Sequence, residues 1–260
     1  MLINSYRFAL ASGYDTDAQA YITAVEAADG ASLETATRDA INAFVVGCKA
    51  DGIWTAIKAS CILAGAKTLS GALVPLLPTM PAPTPVGFGP TDSLYNRKTG
   101  LKGDGSQYLN SNRNNNADPE ISNHNAVYVN TATSSTGIYM SASASTTESG
   151  DNNFGRTTNN LFARSRTSTP LVGFSGATTG LIGINRSNSA NYTFRTASAN
   201  NLFVQSSQAA FNSNICIFAG PGGGVPSNGR LAFYSIGESL DLGLLDTRVT
   251  ALITAFSTAF

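Results

Sequence analysis

One residue in the sequence could act as the general base of a nucleophilic hydrolase. His124, the only histidine, lies in the run "NHN" at residues 123–125. A serine or cysteine nucleophile needs such a base beside it, so any triad in this chain must include His124. The surrounding stretch is rich in Asn and comes just before a strand-like segment, which is typical of an exposed turn. We therefore predict a turn histidine and no triad.

Glycoside hydrolysis requires two facing carboxyl groups, and strand-borne pairs would appear as closely spaced Glu and Asp. The β-rich part of the chain contains no Glu-x-Asp-x-Glu segment. Its carboxylates are scattered among turns: Asp104, Asp118, Glu120, Glu148, Asp151, Glu238, Asp241 and Asp246. We predict that the protein is not an enzyme, with a lectin-fold glycan hydrolase as the weaker alternative.

Calcium is the one cofactor that the residues allow. Asp104, Asp118 and Glu120, together with nearby Asn carbonyls, would form an oxygen-rich site if the two ends of their segment lie together. Asp and Asn also occupy turns for conformational reasons alone. The turn interpretation is favoured, so we expect no cofactor, with calcium as the alternative.

Two strand-like segments carry planar cationic and aromatic side chains suited to sugars or acidic groups. Phe162, Arg164 and Arg166 share one strand face by parity in "NLFARSRT". In "NYTFRT", one of the two aromatic residues Tyr192 and Phe194 is expected in the core and the other on display, and we select Tyr192 for display. These four residues, Phe162, Arg164, Arg166 and Tyr192, are the predicted glycan-binding patch, and ordinary solvated or subunit-contact positions are the alternative.

Composition excludes several partners. The chain has 260 residues, of which 12% are charged, and its formal net charge is zero, so no global field attracts nucleic acid. The longest apolar region, residues 40–66, is interrupted by Lys49, Asp51 and Lys58, which argues against membrane insertion. We expect no secretion signal at the N-terminus. Cys48, Cys61 and Cys216 are expected to be buried, reduced thiols, as in a protein made in a cytoplasm.

The pattern of elements predicts four regions. Residues 1–15 alternate enough for an N-terminal strand or docking arm. Residues 16–74 show helical periodicity, with a capping box at Thr16 and a third helix continuing through Ile57 and Cys61. Residues 75–93 hold six of the ten prolines and form a stiff linker or strap.

Residues 94–260 consist of short strand-like segments separated by Gly, Ser or Asn turns. We predict a long surface loop between the Asp104-Gly105 turn and a strand that begins at Ala126. The chain closes with a helical period. The fold class is therefore α+β, mainly β: a small N-terminal helical bundle followed by a C-terminal antiparallel β-sandwich jelly roll with a short C-terminal helix.

Two segments resemble a known fold family. "GLKGDGSQYL" and the closing "GRLAFYSIGESLDLGLLDTRVTALI" are similar to the first and last parts of a laminin-G-like, concanavalin A-like jelly roll. The resemblance covers residues 94–260. It implies a lectin-like domain, in which a calcium ion is common but not universal.

Three longer blocks resemble proteins encoded by tailed bacteriophages, including phages of cyanobacteria. They are "DAINAFVVGCKADGIWTAIKASCILAGAKTLSGALVP", "YNRKTGLKGDGSQYLNSNRNNNADP" and "FYSIGESLDLGLLDTRVTALI". The resemblance implies a virion structural protein, and we predict a fibre or adhesin component that attaches to host surface polysaccharide. Other virion proteins and further copies in a homo-oligomer are the expected partners. A capsid or neck decoration protein is the alternative.

Overall fold

The computed structural model describes residues 13–89, 94–145, 148–167, 172–174, 178–196 and 198–260. Most of the predicted N-terminal arm, residues 1–12, and the last four residues of the predicted strap lie outside this part of the chain. The predicted fold class is confirmed: two antiparallel sheets form a β-sandwich, and helices pack on one of its faces.

The helix-covered sheet is called sheet I and the other sheet II. Sheet I contains β1 (Ile57–Ile62), β3 (Tyr95–Asn96), β4 (Gly100–Lys102), β6 (Asn123–Thr131), β11 (Gly180–Arg186), β12 (Asn191–Thr196), β13 (Ala199–Val204) and β15 (Arg230–Gly237). Sheet II contains β2 (Thr84–Val86), β5 (Tyr108–Asn114), β7 (Gly137–Ser141), β8 (Asp151–Arg156), β9 (Leu161–Thr167), β10 (Val172–Phe174) and β14 (Asn214–Ile217). The helices are α1 (Thr16–Asp29), α2 (Thr35–Ala50), the single turn α3 (Leu69–Ala72) and α4 (Leu242–Ala259).

Sheet I is organised around β15, which pairs with β6 along one edge. Its other edge is shared: β4 pairs with the start of β15 at Arg230 and Leu231, and β1 pairs with the rest. From β6 the sheet continues through β11 and β12 to β13, which is its last strand. The strand order thus brings segments from both ends of the chain to one central strand.

Side chains of β6 show how sheet I is buried on both faces. Val127 and Val129 pack into the layer between the sheets, whereas Ala126 and the partly buried Tyr128 contact the helical layer. Because successive residues of a strand point to opposite faces, a strand covered on both sides must be apolar at nearly every position. The run "AVYV" in β6 and "LAFY" in β15 meet that requirement.

The helical layer consists of α1, α2 and α4. Phe44 of α2 contacts Phe233 of β15 edge to face, with ring centroids 5.8 Å apart, and Arg248 of α4 donates two hydrogen bonds to Asp51 at 2.7 and 2.8 Å. Helices from the N-terminal and C-terminal parts of the chain therefore share one apolar core against sheet I. None of the helices in the described residues has the length and apolar character needed to cross a membrane.

The predicted third helix is a strand. Ile57–Ile62 forms β1, whose register with β15 runs from Ile57 opposite Gly237 to Ile62 opposite Phe233. A short apolar run fits a buried helix and a buried strand equally well, and here the unpaired half of the β15 edge determines the outcome. Ser60 reinforces the pairing by donating its hydroxyl hydrogen to Tyr234 O at 2.6 Å.

The polar stretch after the Asp104-Gly105 turn also differs from the prediction. Tyr108–Asn114 forms β5 where a long surface loop was expected, and it pairs with β14 and with β2. Pro85 lies in β2, at the sheet edge, where its missing N–H leaves no ladder bond unmade. Asn112 shows why this strand tolerates Asn: its Nδ2 donates to Ala82 O and to Thr84 Oγ1, both at 2.8 Å.

A buried arginine joins the two sheets at one end of the sandwich. Arg186 ends β11 and is fully buried, and every hydrogen bond it makes to the described residues goes to a backbone carbonyl. Its acceptors are the carbonyls of Ser165, Asn188, Ser189, Asn191 and Gln205. Burying a charge is costly unless hydrogen bonds replace water, and these carbonyls supply that replacement. The contact links β9 in sheet II to the segment that follows β13.

Replacing Phe233 with Ala tests whether the helices and the sandwich unfold together. Loss of this buried ring should lower the free energy of unfolding by about 3–5 kcal/mol, since the cavity lies between both layers. Urea unfolding followed by far-UV circular dichroism and by Trp54 fluorescence should give coincident transitions before and after the change. The control Ile121→Ala, at an exposed position, should change stability by less than about 0.5 kcal/mol. Separate transitions for the two signals would contradict a shared core.

Candidate functional site

A polar cleft lies between α4 and the last strands of sheet I. One cavity of about 200 Å³ is lined by Asn185, Thr193, Asn200, Leu240, Asp241 and Leu242. A second, of about 380 Å³, is lined by Arg195, Ser198, Asp246, Thr247, Thr250 and Ala251. The hydrogen bond from Arg195 Nη1 to Asn200 Oδ1, at 2.9 Å, joins the walls of the two cavities. We call these twelve residues together the α4 cleft.

Strand register places the polar side chains of the α4 cleft on one face. Asn185 of β11 lies opposite Thr193 of β12, and Arg195 of β12 lies opposite Asn200 of β13. Side chains of directly opposed residues in an antiparallel pair point to the same face. Leu202, opposite Thr193, shares that face and is 64% exposed.

Arg195 is held in place by the first two turns of α4. Its Nε donates to Asp246 Oδ2 at 2.9 Å, and its Nη2 lies 2.8 Å from the same oxygen. Asp246 Oδ1 in turn accepts a hydrogen bond from Thr250 Oγ1 at 3.0 Å. Because the Arg195 and Asp246 side chains are only 11% and 8% exposed, the guanidinium is fixed before any ligand arrives.

The other carboxylate of the α4 cleft begins the helix. Asp241 Oδ1 accepts hydrogen bonds from the backbone N–H groups of Gly243 at 2.7 Å and Leu244 at 3.2 Å, as an N-cap does. Asn185 Oδ1 accepts from Leu240 N at 2.9 Å and fixes the chain entering α4. Both carboxylates of the cleft, Asp246 and Asp241, are therefore hydrogen-bonded to groups that hold α4 in place.

Three polar groups of the α4 cleft are available to hydrogen-bond a ligand. Among the described residues, nothing is hydrogen-bonded to Nδ2 of Asn185, Nδ2 of Asn200 or the hydroxyl of Thr193. Exposed Leu202 and Leu244 add apolar surface at the side of the cleft. Such a surface can hydrogen-bond hydroxyl groups of a polar ligand while covering its C–H faces.

The predicted glycan-binding patch is not displayed. Phe162, Arg164, Arg166 and Tyr192 are each at most 3% exposed, so the expectation of an outward patch is wrong. Arg164 lies 3.4 Å from the buried Asp151 carboxylate, and the Tyr192 hydroxyl donates to Ala163 O at 3.0 Å. Strand parity predicts which side chains share a face, but it does not predict what covers that face.

The three residues predicted to hold calcium have separate partners. Asp104 Oδ1 accepts from Ser106 N and Ser106 Oγ, both at 2.8 Å, inside its own turn. Asp118 forms a two-point ion pair with Arg113, and Glu120 accepts from the Ser207 hydroxyl. In the part of the chain that the structure describes, no three His, Cys, Asp or Glu side chains gather as a metal site would require. Asp104, Asp118 and Glu120 therefore do not converge, as the calcium alternative would require.

His124 is a buried strand residue, which corrects the predicted exposed turn. It lies opposite Gly237 in β15, with Nδ1 2.5 Å from Glu238 O and Nε2 2.7 Å from Ser235 Oγ. The Ser235–His124 contact has the distance of a nucleophile and its base, but both residues are 0% exposed and no substrate reaches them. Burial lowers the pKa of His124 to about 4, so the imidazole is neutral at physiological pH.

The cysteines behave as predicted. Cys48, Cys61 and Cys216 are free and buried, and burial raises the pKa of each thiol to about 12. A thiol that stays protonated is a poor nucleophile and a poor metal ligand. These residues therefore add no chemistry to the α4 cleft.

Comparison with known proteins places the fold. No protein-family model matches the chain, and no curated protein matches its sequence. Among solved structures, the chain is similar to the binding domain of botulinum neurotoxin DC in complex with rat synaptotagmin II, with a TM-score of 0.50 and 13% identity. That match covers 78% of this chain and 52% of the neurotoxin chain, so this chain spans about half its length. It shows a shared β-sandwich fold.

Two further similar structures are carbohydrate-binding domains with bound sugars. Domain 4 of AbnA, a GH43 extracellular arabinanase from Geobacillus stearothermophilus, was solved with arabinotriose and matches at a TM-score of 0.48 and 11% identity, over 73% of this chain and 97% of that one. The Ruminococcus gnavus sialidase CBM40, bound to α2,3-sialyllactose, matches at 0.37 and 8%, over 49% and 82%.

The burial of His124 makes stability depend on pH. The unfolded chain, with a pKa near 6.5, binds this proton more readily than the folded chain, with a pKa of about 4. The stabilisation is therefore complete above pH 6.5 and is lost as pH falls toward 4, by roughly 3 kcal/mol in total. Urea unfolding at several pH values should show wild type losing stability faster over this window than His124→Gln. Parallel curves for the two proteins would contradict the buried neutral imidazole.

Proposed function

We propose that the protein is a non-enzymatic, glycan-binding component of a tailed-bacteriophage virion, and that the α4 cleft holds the sugar. The observation that carries the proposal is the fixed Arg195 guanidinium, bound by Asp246 and Asn200, with unused amide and hydroxyl groups beside it. Fixed polar groups beside exposed apolar surface match a ligand that carries many hydroxyls on a carbon ring.

The chemistry of the α4 cleft favours a neutral or mildly acidic saccharide. A sugar hydroxyl both donates and accepts, so it can accept from Nδ2 of Asn185 or Asn200 and donate to the Thr193 oxygen. Arg195 supplies further N–H donors, and its charge is already balanced by Asp246. The cavity lined by Arg195, about 380 Å³, falls within the range of roughly 300–1,000 Å³ that small-molecule sites occupy. The adjoining cavity of about 200 Å³ carries the Asn185, Thr193 and Asn200 groups.

The same geometry supports binding without hydrolysis. A glycosidase needs one carboxyl group free to donate a proton and a second free to act as nucleophile or base. In the α4 cleft, Asp246 is committed to Arg195 and Thr250, and Asp241 is committed to the first N–H groups of α4. Neither acid is free for proton transfer without dismantling the wall of the cleft.

The virion assignment rests on the sequence blocks that resemble tailed-phage proteins. A surface with few charges, zero net charge and many Ser, Thr and Asn residues suits a particle exterior that must stay soluble in varied surroundings. On this proposal the protein is a fibre or adhesin component, and repeated copies multiply a weak saccharide affinity.

A capsid or neck decoration protein is the second candidate function. The observation that favours it is the exposure of Leu202 and Val204, 64% and 82%, on the edge strand β13. Apolar side chains at a sheet edge suit a protein contact more than a sugar. A cryo-electron microscopy reconstruction of the parent particle distinguishes the two, because an adhesin lies at the tail or fibre and a decoration protein on the capsid or neck.

Variants of the α4 cleft test glycan binding. A glycan array should identify a saccharide bound by the wild-type protein, and Asn200→Ala and Thr193→Val should each weaken that binding about five-fold. Each change removes one hydrogen bond to the sugar, worth about 1 kcal/mol. Asn200→Ala also removes the bond that Arg195 Nη1 donates to Asn200 Oδ1, whereas Thr193→Val leaves Arg195 in place. Calorimetric titration with the identified saccharide measures the loss.

The matched control is Asn159→Ala, at an exposed position in the β8–β9 loop. It should leave saccharide affinity unchanged, and all three variants should keep the wild-type melting temperature. The proposed site would be overturned if no saccharide on the array bound the wild-type protein. It would also be overturned if Asn159→Ala lowered the saccharide affinity as much as the cleft variants do. Incubation with the bound saccharide should release no new reducing ends, and measurable cleavage would overturn the non-enzymatic assignment.

A further inference from the structure

We propose that two copies of the chain associate through β13, forming one continuous sheet across a two-fold axis. Among the described residues, β13 pairs with β12 and with no other strand, so its outer edge presents backbone N–H and C=O groups in alternation. Its pairing with β12 is regular over six residues, without a bulge. An unpaired edge of this length is a template for another strand.

The sequence of β13 lacks the features that usually protect an edge. "ANNLFV" has no charged residue and no proline. Leu202 and Val204 are its outward apolar side chains and the two most exposed large hydrophobic residues in the described chain. Soluble proteins normally place Lys, Pro or a bulge at such an edge to prevent association. Their absence here indicates an edge that is covered in the assembled protein.

In the part of the chain that the structure describes, the other sheet edges are short, covered or contain proline. β3 has two residues, β10 has three, and β2 carries Pro85. The free side of β1 is covered by the following segment, since Leu76 N donates to Ser60 O at 2.9 Å. Association through a strand edge is therefore directed to β13.

A second copy fits this edge better than an unrelated strand for two reasons. Antiparallel pairing of identical strands is self-complementary, so the unpaired groups of one β13 meet those of the other, and the contact closes after two copies. The strand is uncharged and the whole chain has zero net charge, so the copies do not repel one another. Leu202 and Val204 of both copies then cover each other across the new strand pair.

The two-fold axis of such a pair is perpendicular to the sheet. Both helical layers consequently lie on the same side of the joined sheet, and both α4 clefts open on that side. The association does not require a ligand in the cleft, because the edge of β13 and Val204 lie outside the cleft. Leu202 also borders the cleft, so Val204→Lys is the variant that separates the two contacts.

The test is the mass of the full chain in solution, measured by sedimentation equilibrium over the micromolar range. Wild type should approach twice the monomer mass of 26.9 kDa. Val204→Lys places like charges near each other at the joined edge and should weaken association at least tenfold. Leu202→Lys should do the same.

The matched control is Val86→Lys, also at an exposed valine in an edge strand, and it should leave the dimer intact. Hydrogen exchange adds a second measurement: the amides of β13 should be protected in wild type and exchange faster in Val204→Lys, with unchanged circular dichroism. A monomeric wild type would overturn the proposal and leave the edge to a strand from a different protein. A dimer that survives both lysine variants would overturn it as well.

These results remain separate from glycan binding. A monomeric Val204→Lys protein should keep the wild-type affinity for a monovalent saccharide and lose only the gain from two linked sites. Loss of the dimer with intact saccharide affinity therefore supports the strand contact alone. The Thr193 variant tests the cleft alone, because Thr193 lies in β12 and Asn200 in β13.

Discussion

The central strands of sheet I are covered on both faces, and the rest of the molecule depends on that constraint. Helices pack on one side of β6 and β15, and sheet II packs on the other. A fully buried polar group in these strands is stabilised by a partner inside the protein, because no water reaches it. His124 and Ser235 satisfy each other, and Ser60 donates to Tyr234 O. The same constraint ties the N-terminal helices to the C-terminal one, since all of them cover the one sheet.

The long, strongly patterned elements were predictable from sequence. The strands β6, β11 and β15 and the helix α4 carry enough apolar periodicity to define themselves locally. β1 was not predictable, because its short apolar run fits two structures and its strand partner lies about 175 residues away in sequence. β5 was missed because its Asn side chains are hydrogen-bonded to neighbouring segments, a feature that composition does not reveal.

The candidate site was the least predictable part. Arg195 and Asp246 are separated by 51 residues, and only the packing of α4 on β12 brings them together. The residues chosen from sequence, such as Arg164 and Tyr192, have the right chemistry for a sugar but lie inside the protein. Sequence supplies residue types and spacing within one strand, whereas a cleft requires the arrangement of several elements, and nothing local distinguished Arg195 from the other arginines.

Arg186 gives the structure a mechanical property. Its guanidinium connects Ser165 of β9 to Gln205, which follows β13. It donates hydrogen bonds of 3.1 Å to the backbone carbonyl oxygens of both residues. A force applied at β13 would therefore pass to both sheets together, instead of peeling the last hairpin from sheet I. Several hydrogen bonds would have to break at once, which raises the load that the edge sustains. The exposed edge strand β13 is thus connected through Arg186 to sheet II as well as to its own sheet.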